Sequence, residues 1–349
     1  MAIEFMDNFS QYGTNESYML DGVWAELASN NGLSPTLAVD PDGVSTGYVL
    51  HATRGTARKV LSSAQTTVGV AFRYWAANLP SSTGDRPQIL AFCDANNSPQ
   101  VSVVLETTGI LSVYRGTTTT LLGSTAVPVL TAGAWSHVET KVLFSQTVGT
   151  VEIRVNGAVV LDLDTLDTCN TALVECSQIR IGANNSSNSE GYFKDLLIWN
   201  DSGSLNNDFM GDCQIVSLIP DGDDSLNWTT SSGTTGFDLI NEATPNDSSY
   251  ISADSTPPAE SVFTLSDLEP EVVTVKGLMT FVRALKTDGG TANLQVSMVS
   301  GVDEDAGSDR AITVAATTWM DVSETDPATA SAWTPISVNA AKLKIDRTT

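Results

Sequence analysis

Short runs of alternating apolar and polar residues follow one another through the first 210 positions, and they constrain the fold more than any other feature. In TTVGVAFRYW, Val68, Val70 and Phe72 take every second place. QILAFCD, VSVVLE, ILSVYRG, WSHVETKVLF, GTVEIRVNG, AVVLDLD, QIRIGA and YFKDLLIWND repeat the pattern, with turn residues between them. A period of two places alternate side chains on opposite faces of a strand, and many such strands with no 3.6-residue periodicity imply a sandwich or barrel. GTVEIRVNG adds register: Val151, Ile153 and Val155 face one way, Glu152 and Arg154 the other. The run ends in Asn156-Gly157, the strongest short hairpin signal.

Composition excludes several classes. The chain has 349 residues, 17 basic against 41 acidic, and a net charge of −24. Nucleic acid and anionic membranes require a basic footprint, so neither is an expected partner. No run approaches the ~20 apolar residues of a membrane span. MAIEFMDNFSQYG lacks the basic and apolar segments of a signal peptide, which points to synthesis in a cytoplasm. Cys93, Cys169, Cys176 and Cys213 are too scattered for a disulfide scaffold. A Cys169–Cys176 bridge stays open, with reduced thiols the favoured reading. Near Gly211 the chain turns rich in Asp, Asn, Ser, Thr and Gly. The boundary is set there, giving domains 1–211 and 212–349, with 10 basic and 20 acidic residues before Gly211 and 7 and 21 after it.

The succession AWSHVETKV, GTVEIRVNGAVVLDLDT, QIRIGA and YFKDLLIWND resembles the laminin-G-like, concanavalin A-like jelly roll. That resemblance covers roughly residues 3–202 and implies an antiparallel two-sheet sandwich, with the YFKDLLIWND strand returning beside an N-terminal strand in FMDNFSQY. A smaller β-sandwich is expected after it. The second domain is itself similar to the C-terminal part of tailed-phage virion proteins. The matching pieces are Trp228, Pro245-Asn246-Asp247 with Tyr250, Asp326-Pro327, and Ala332-Trp333-Thr334. This resemblance implies a structural component displayed on the outside of a phage particle, in a tail, fibre or baseplate. The alternative within that class is a capsid-decorating protein or head fibre. Its partners would be other virion proteins and a host surface polysaccharide, with a symmetric homo-oligomer, a trimer, as the expected state.

The chemistry candidates are few. Retaining glycosidases need two carboxyl groups about 5–5.5 Å apart, and the E-x-D-x-x-E or E-x-D-x-E spacing of jelly-roll glucanases is absent. Glu152 is followed at same-face spacing by Arg154, which reads as a strand-face ion pair. Asp162, Asp164 and Asp167 read as a solvated edge or loop. Trp135, His137 and Glu139 share one strand face. Neither His51 nor His137 comes with a G-x-S-x-G elbow, and no phosphate-binding loop is present. The expectation is therefore a protein that is not an enzyme. Tyr74, Trp75 and Tyr114 are the candidates for stacking on sugar, against core or cross-strand packing as the commoner use of strand aromatics, with a carbohydrate-binding module or glycan hydrolase as the alternative of another class. Laminin-G-like domains often hold Ca2+ at the sandwich rim, and the resemblance makes Asp94, Asn96 and Asn97 the candidate ligands. The loops DPDG (40–43), ANNSSN (183–188) and DGDD (221–224) are further oxygen-rich turns.

Overall fold

The computed structural model describes residues 2–44, 47–184, 190–253 and 259–349, and it divides into two compact units, 1–215 and 216–349. The first unit is an antiparallel jelly-roll sandwich, its strands numbered along the chain. One sheet runs in the order β13 (Ala158–Leu166), β12 (Gly149–Val155), β11 (Trp135–Leu143), β6 (Thr67–Ala76), β15 (Gly191–Asn200), β4 (Tyr48–Ala52), β3 (Thr36–Val39). β1 (Ile3–Asp7) also pairs with β15, Ile3 opposite Trp199 and Asp7 opposite Leu196. The second sheet runs β10 (Thr120–Ser124), β9 (Leu111–Arg115), β8 (Pro99–Leu105), β7 (Gln88–Cys93), β14 (Cys176–Asn184), β5 (Thr56–Gln65), β2 (Glu26–Ala28).

The period of two decides what lies between the sheets. In β6, Val68, Val70, Phe72 and Tyr74 are buried, and Phe72 and Tyr74 pack on Phe193 of β15 at 5.3 and 5.0 Å between ring centroids. Phe92 of β7 meets Phe144 at 6.0 Å. Burying each such ring stabilises the fold by about 1.5–3 kcal/mol. The Asn156-Gly157 turn closes β12 onto β13 with φ of 49° and 78°, both in the left-handed region that a two-residue hairpin demands. Asn156 also accepts the His137 backbone N–H through Oδ1 at 2.9 Å, which ties the turn back to β11.

The start of the chain is fixed by one buried carboxylate. Asp7 accepts from the Phe9 backbone N–H and Gln11 Nε2 on Oδ1, and from Tyr12 Oη and Trp24 Nε1 on Oδ2, all between 2.7 and 2.8 Å. Burial pushes its pKa up and the donors pull it down, with burial the larger influence.

The second unit is a smaller β-sandwich. Its main sheet joins Pro220–Ser225, Ala259–Leu265, Lys342–Arg347, Asn293–Ser300 and Asp303–Ala306, and Leu278–Ala284 pairs with Thr317–Ser323 apart from it. Met298, Trp333, Val338 and Ala341 form one buried cluster, and Leu294, Val296 and Trp319 another. Several residues that carried the second resemblance are framework. Trp333 is in the core, Thr334 caps the following helical turn through Ser337, and Trp228 Nε1 donates to the Ala259 carbonyl at 3.0 Å. Among the described residues no helix is long and apolar enough to cross a membrane.

Candidate functional site

The face of the first sheet that points away from the core carries the residues out of phase with Val68, Val70 and Phe72. Strand register aligns four of them in one row: Trp135 lies opposite Trp75, Trp75 opposite Tyr192, and Tyr192 opposite His51. The row therefore crosses β11, β6, β15 and β4 at right angles to the strands. Its members are half-buried. Trp75 meets Trp135 edge-on at 5.8 Å, while His51 stacks on Tyr192 at 4.4 Å with 11° between the planes.

Polar groups fix the row at both ends. Asp40, itself buried, accepts from Trp135 Nε1 at 3.1 Å and from Lys194 Nζ at 2.7 Å. The same ammonium lies 4.3 Å from the Trp135 ring centroid and 3.9 Å from Asp42. At the far end Glu190 stands 3.8 Å from His51 Nε2. Burial lowers the His51 pKa against the pull of Glu190, so the imidazole is neutral at pH 7.

Two residues along the strands, about 7 Å from the row, the same face is covered by the segment 201–215. Phe209 packs edge-on against buried Trp199 at 6.2 Å and takes the Arg154 guanidinium over its ring at 3.8 Å. Gly69 makes room beneath, since a Cβ there would come within 2.0 Å of the Trp199 ring. Asp208 accepts from Lys141 Nζ at 2.8 Å, and Asp212 accepts from Arg73 Nη2 at 2.7 Å. Glu139 Oε1 accepts the backbone N–H groups of Met210 and Gly211, both at 3.0 Å. The Ile215 N–H donates to Asp195, and its carbonyl accepts from Asn8 Nδ2. On β6 this strap reaches as far as Arg73, two residues from Trp75. Residues 212–215, assigned from the sequence to the second domain, thus pack on the first.

Burial raises the pKa of Glu139 against those two N–H donors, and raises that of Asp195 against the Ile215 N–H and Arg73. Burial lowers that of His137. Glu139 Oε2 and His137 Nδ1 have no hydrogen-bond partner among the described residues. Trp135, His137 and Glu139 do share the face that their spacing predicted, but the latter two lie buried beside the strap.

The residues predicted to stack on sugar do not come together. Only Trp75 reaches the outer face. Tyr74, its neighbour in the strand, turns into the core, where burial pushes its pKa well up. Tyr114 is nearly buried on the other sheet, accepting from Arg86 Nη1 at 3.0 Å and donating to Glu106 at 3.3 Å. On the outer face Trp75 is aligned instead with Trp135, Tyr192 and His51. The phase of each strand signals their face, but nothing in the sequence states which strands are neighbours.

The candidate calcium ligands make contacts within the protein. Asp94 is buried and its oxygens accept the backbone N–H groups of Asn96 and Ser98 and the Thr171 hydroxyl. Asn97 Oδ1 accepts from Arg180 Nε at 2.8 Å, and Arg180 also donates to the Asn97 carbonyl. Asn96 is exposed at the turn. Among the described residues no three His, Cys, Asp or Glu side chains group as metal ligands. The loop 183–188 lies largely outside the described residues. Glu152 accepts from Arg154 Nε at 2.7 Å, Asp162 and Asp164 are exposed on edge strand β13, and Asp167 pairs with Arg115. No disulfide joins Cys93, Cys169, Cys176 or Cys213, and burial pushes the Cys93 thiol up to about 12.

No protein-family model matches the chain, nor does any curated protein. Solved structures do. Alginate lyase Aly36B is 14% identical with a TM-score of 0.41, the match covering 56% of this chain and 95% of the lyase. The carbohydrate-binding module CBM66 from Bacillus subtilis is 10% identical with a TM-score of 0.32, over 48% of this chain and 92% of the module. The Trypanosoma rangeli sialidase is 12% identical with a TM-score of 0.32, over 49% of this chain and 29% of the sialidase. At these identities the likeness is one of fold and transfers no residue role. It does correct the expectation that the chain is not an enzyme. Alginate lyases and a sialidase are among the matched structures.

Proposed function

We propose that the first unit binds a glycan along the row Trp135–Trp75–Tyr192–His51. The observation that carries this is the alignment of four half-exposed rings at one level across four strands, with carboxylates at both ends. A pyranose presents an apolar C–H face and a rim of hydroxyls. Flat rings match the first, and Asp42 and Glu190 are acceptors for the second.

The test is retention on immobilised polysaccharides and calorimetry with their oligosaccharides. Trp75→Ala and Tyr192→Ala are each expected to weaken binding about tenfold or more, and Tyr114→Phe, on the other sheet, to leave it unchanged. Native binding by Trp75→Ala would refute the reading. The same incubations are read for new chain ends, which report cleavage.

The similarity of the chain's ending to tailed-phage virion proteins supports a second, compatible reading. The glycan-binding unit would be carried on the exterior of a phage particle and face the host surface. Mass spectrometry of purified particles decides it: stoichiometric amounts of the chain support this placement, and its absence from particles rejects it.

A further inference from the structure

We infer that the aromatic row takes an uncharged glycan chain and disfavours polyuronates and sialylated chains; this rests on the proposed function and specifies its ligand. A carboxylated sugar needs a cation free to receive it, because an anion brought out of water without a partner carries a desolvation penalty that nothing offsets. Among the described residues, Lys194 and Arg73, each two positions along its strand from the row, are both committed. Lys194 is held by Asp40 at 2.7 Å and Asp42 at 3.9 Å, with its remaining approach over the Trp135 ring. Arg73 is held by Asp212 at 2.7 Å and Asp195 at 3.3 Å. His51 is uncharged at pH 7 because burial lowers its pKa.

The partners of these groups outnumber them. With Glu190, five carboxylates stand against two cations, a local formal charge of −3 in a chain of net −24. An acidic polymer would approach against that field, which acts over a Debye length of about 8 Å at physiological salt. Sugar hydroxyls are suited to it, because a carboxylate is an acceptor only and binds an O–H donor by a charge-assisted bond. The side chains of Asp42 and Glu190 reach solvent at 24% and 44% exposure, which leaves them able to accept.

Calorimetry of the full chain separates the alternatives. The neutral probes are manno-, cello- and malto-oligosaccharides; the acidic ones are oligogalacturonate, oligoalginate and sialyllactose. Each is measured at about 50 and 500 mM NaCl, where the Debye length falls by roughly a factor of three. At least one neutral probe is expected to bind, with affinity changing less than about twofold across that range and lost in Trp75→Ala. An acidic probe that binds more tightly than every neutral one, weakens with salt and is lost in Trp75→Ala would overturn the ligand class and leave the binding site standing. If neither class binds the native chain, the site itself is refuted, and this inference with it.

Discussion

Glu139 occupies an outward position of β11, where strand phase alone would leave a carboxylate in water. Instead it is fully buried, and only one of its oxygens is used. Its pKa is raised by burial above the ordinary 4.5, so between 4.5 and the raised value the folded chain binds more protons than the unfolded one. The stability this group contributes is therefore fully present below 4.5 and is lost as pH rises through the folded value. Glu139→Gln keeps an acceptor for the Met210 and Gly211 N–H groups and cannot ionise. Urea denaturation should show the variant more stable than the native chain at pH 7, with the difference vanishing as pH falls below 4.5. A variant less stable at pH 7 would mean that the ionised carboxylate is a net stabiliser. Strand phase also decides which site residues were legible. Adjacent residues in a strand face opposite ways, so Tyr74 and Trp75 could never both reach a ligand. Val68, Val70 and Phe72 already commit Tyr74 to the core.

At the scale of elements, local pairing was legible and distant pairing was not. The β12–β13 hairpin was readable because alternation and Asn156-Gly157 specify it within a few residues. The aromatic row depends on β6 lying between β11 and β15, and on β4 lying beyond β15, contacts between segments far apart in sequence. Turn chemistry carries no information about them. The strap was missed for a related reason. Residues 201–215 have no period, and their order comes from individual anchors on the sheet: Phe209, Asp208, the Met210 and Gly211 amides, and Asp212. Phe209 is the one apolar anchor that also engages a cation. Phe209→Ala should cost about 1–2 kcal/mol, raise acrylamide quenching of Trp199, and speed hydrogen exchange at the Met210 and Gly211 amides. Exchange unchanged at those two amides would show that the Glu139 carboxylate alone holds the strap.

For the whole molecule, two cores imply two folding events. The first unit is organised around Phe72, Phe92, Phe144 and Phe193, the second around Met298, Trp333 and the Leu294–Val296–Trp319 cluster. Each unit satisfies its own strands, since every strand pairing described joins residues of the same unit. A fragment 1–215 should fold alone and unfold at the urea concentration of one of two transitions in the full chain, and 216–349 should reproduce the other. Cutting before the strap is the stricter version. Fragment 1–200 retains every strand of the jelly roll but leaves Trp199 and Glu139 uncovered, which exposes an aromatic ring and an acceptor that had been paired. It should unfold about 2–4 kcal/mol more easily than 1–215, with Trp199 emission shifted to the red. Equal stability of the two fragments would show that the strap rests on the sheet without holding it. A single transition in the full chain, with neither half folding alone, would instead make the two units one cooperative structure.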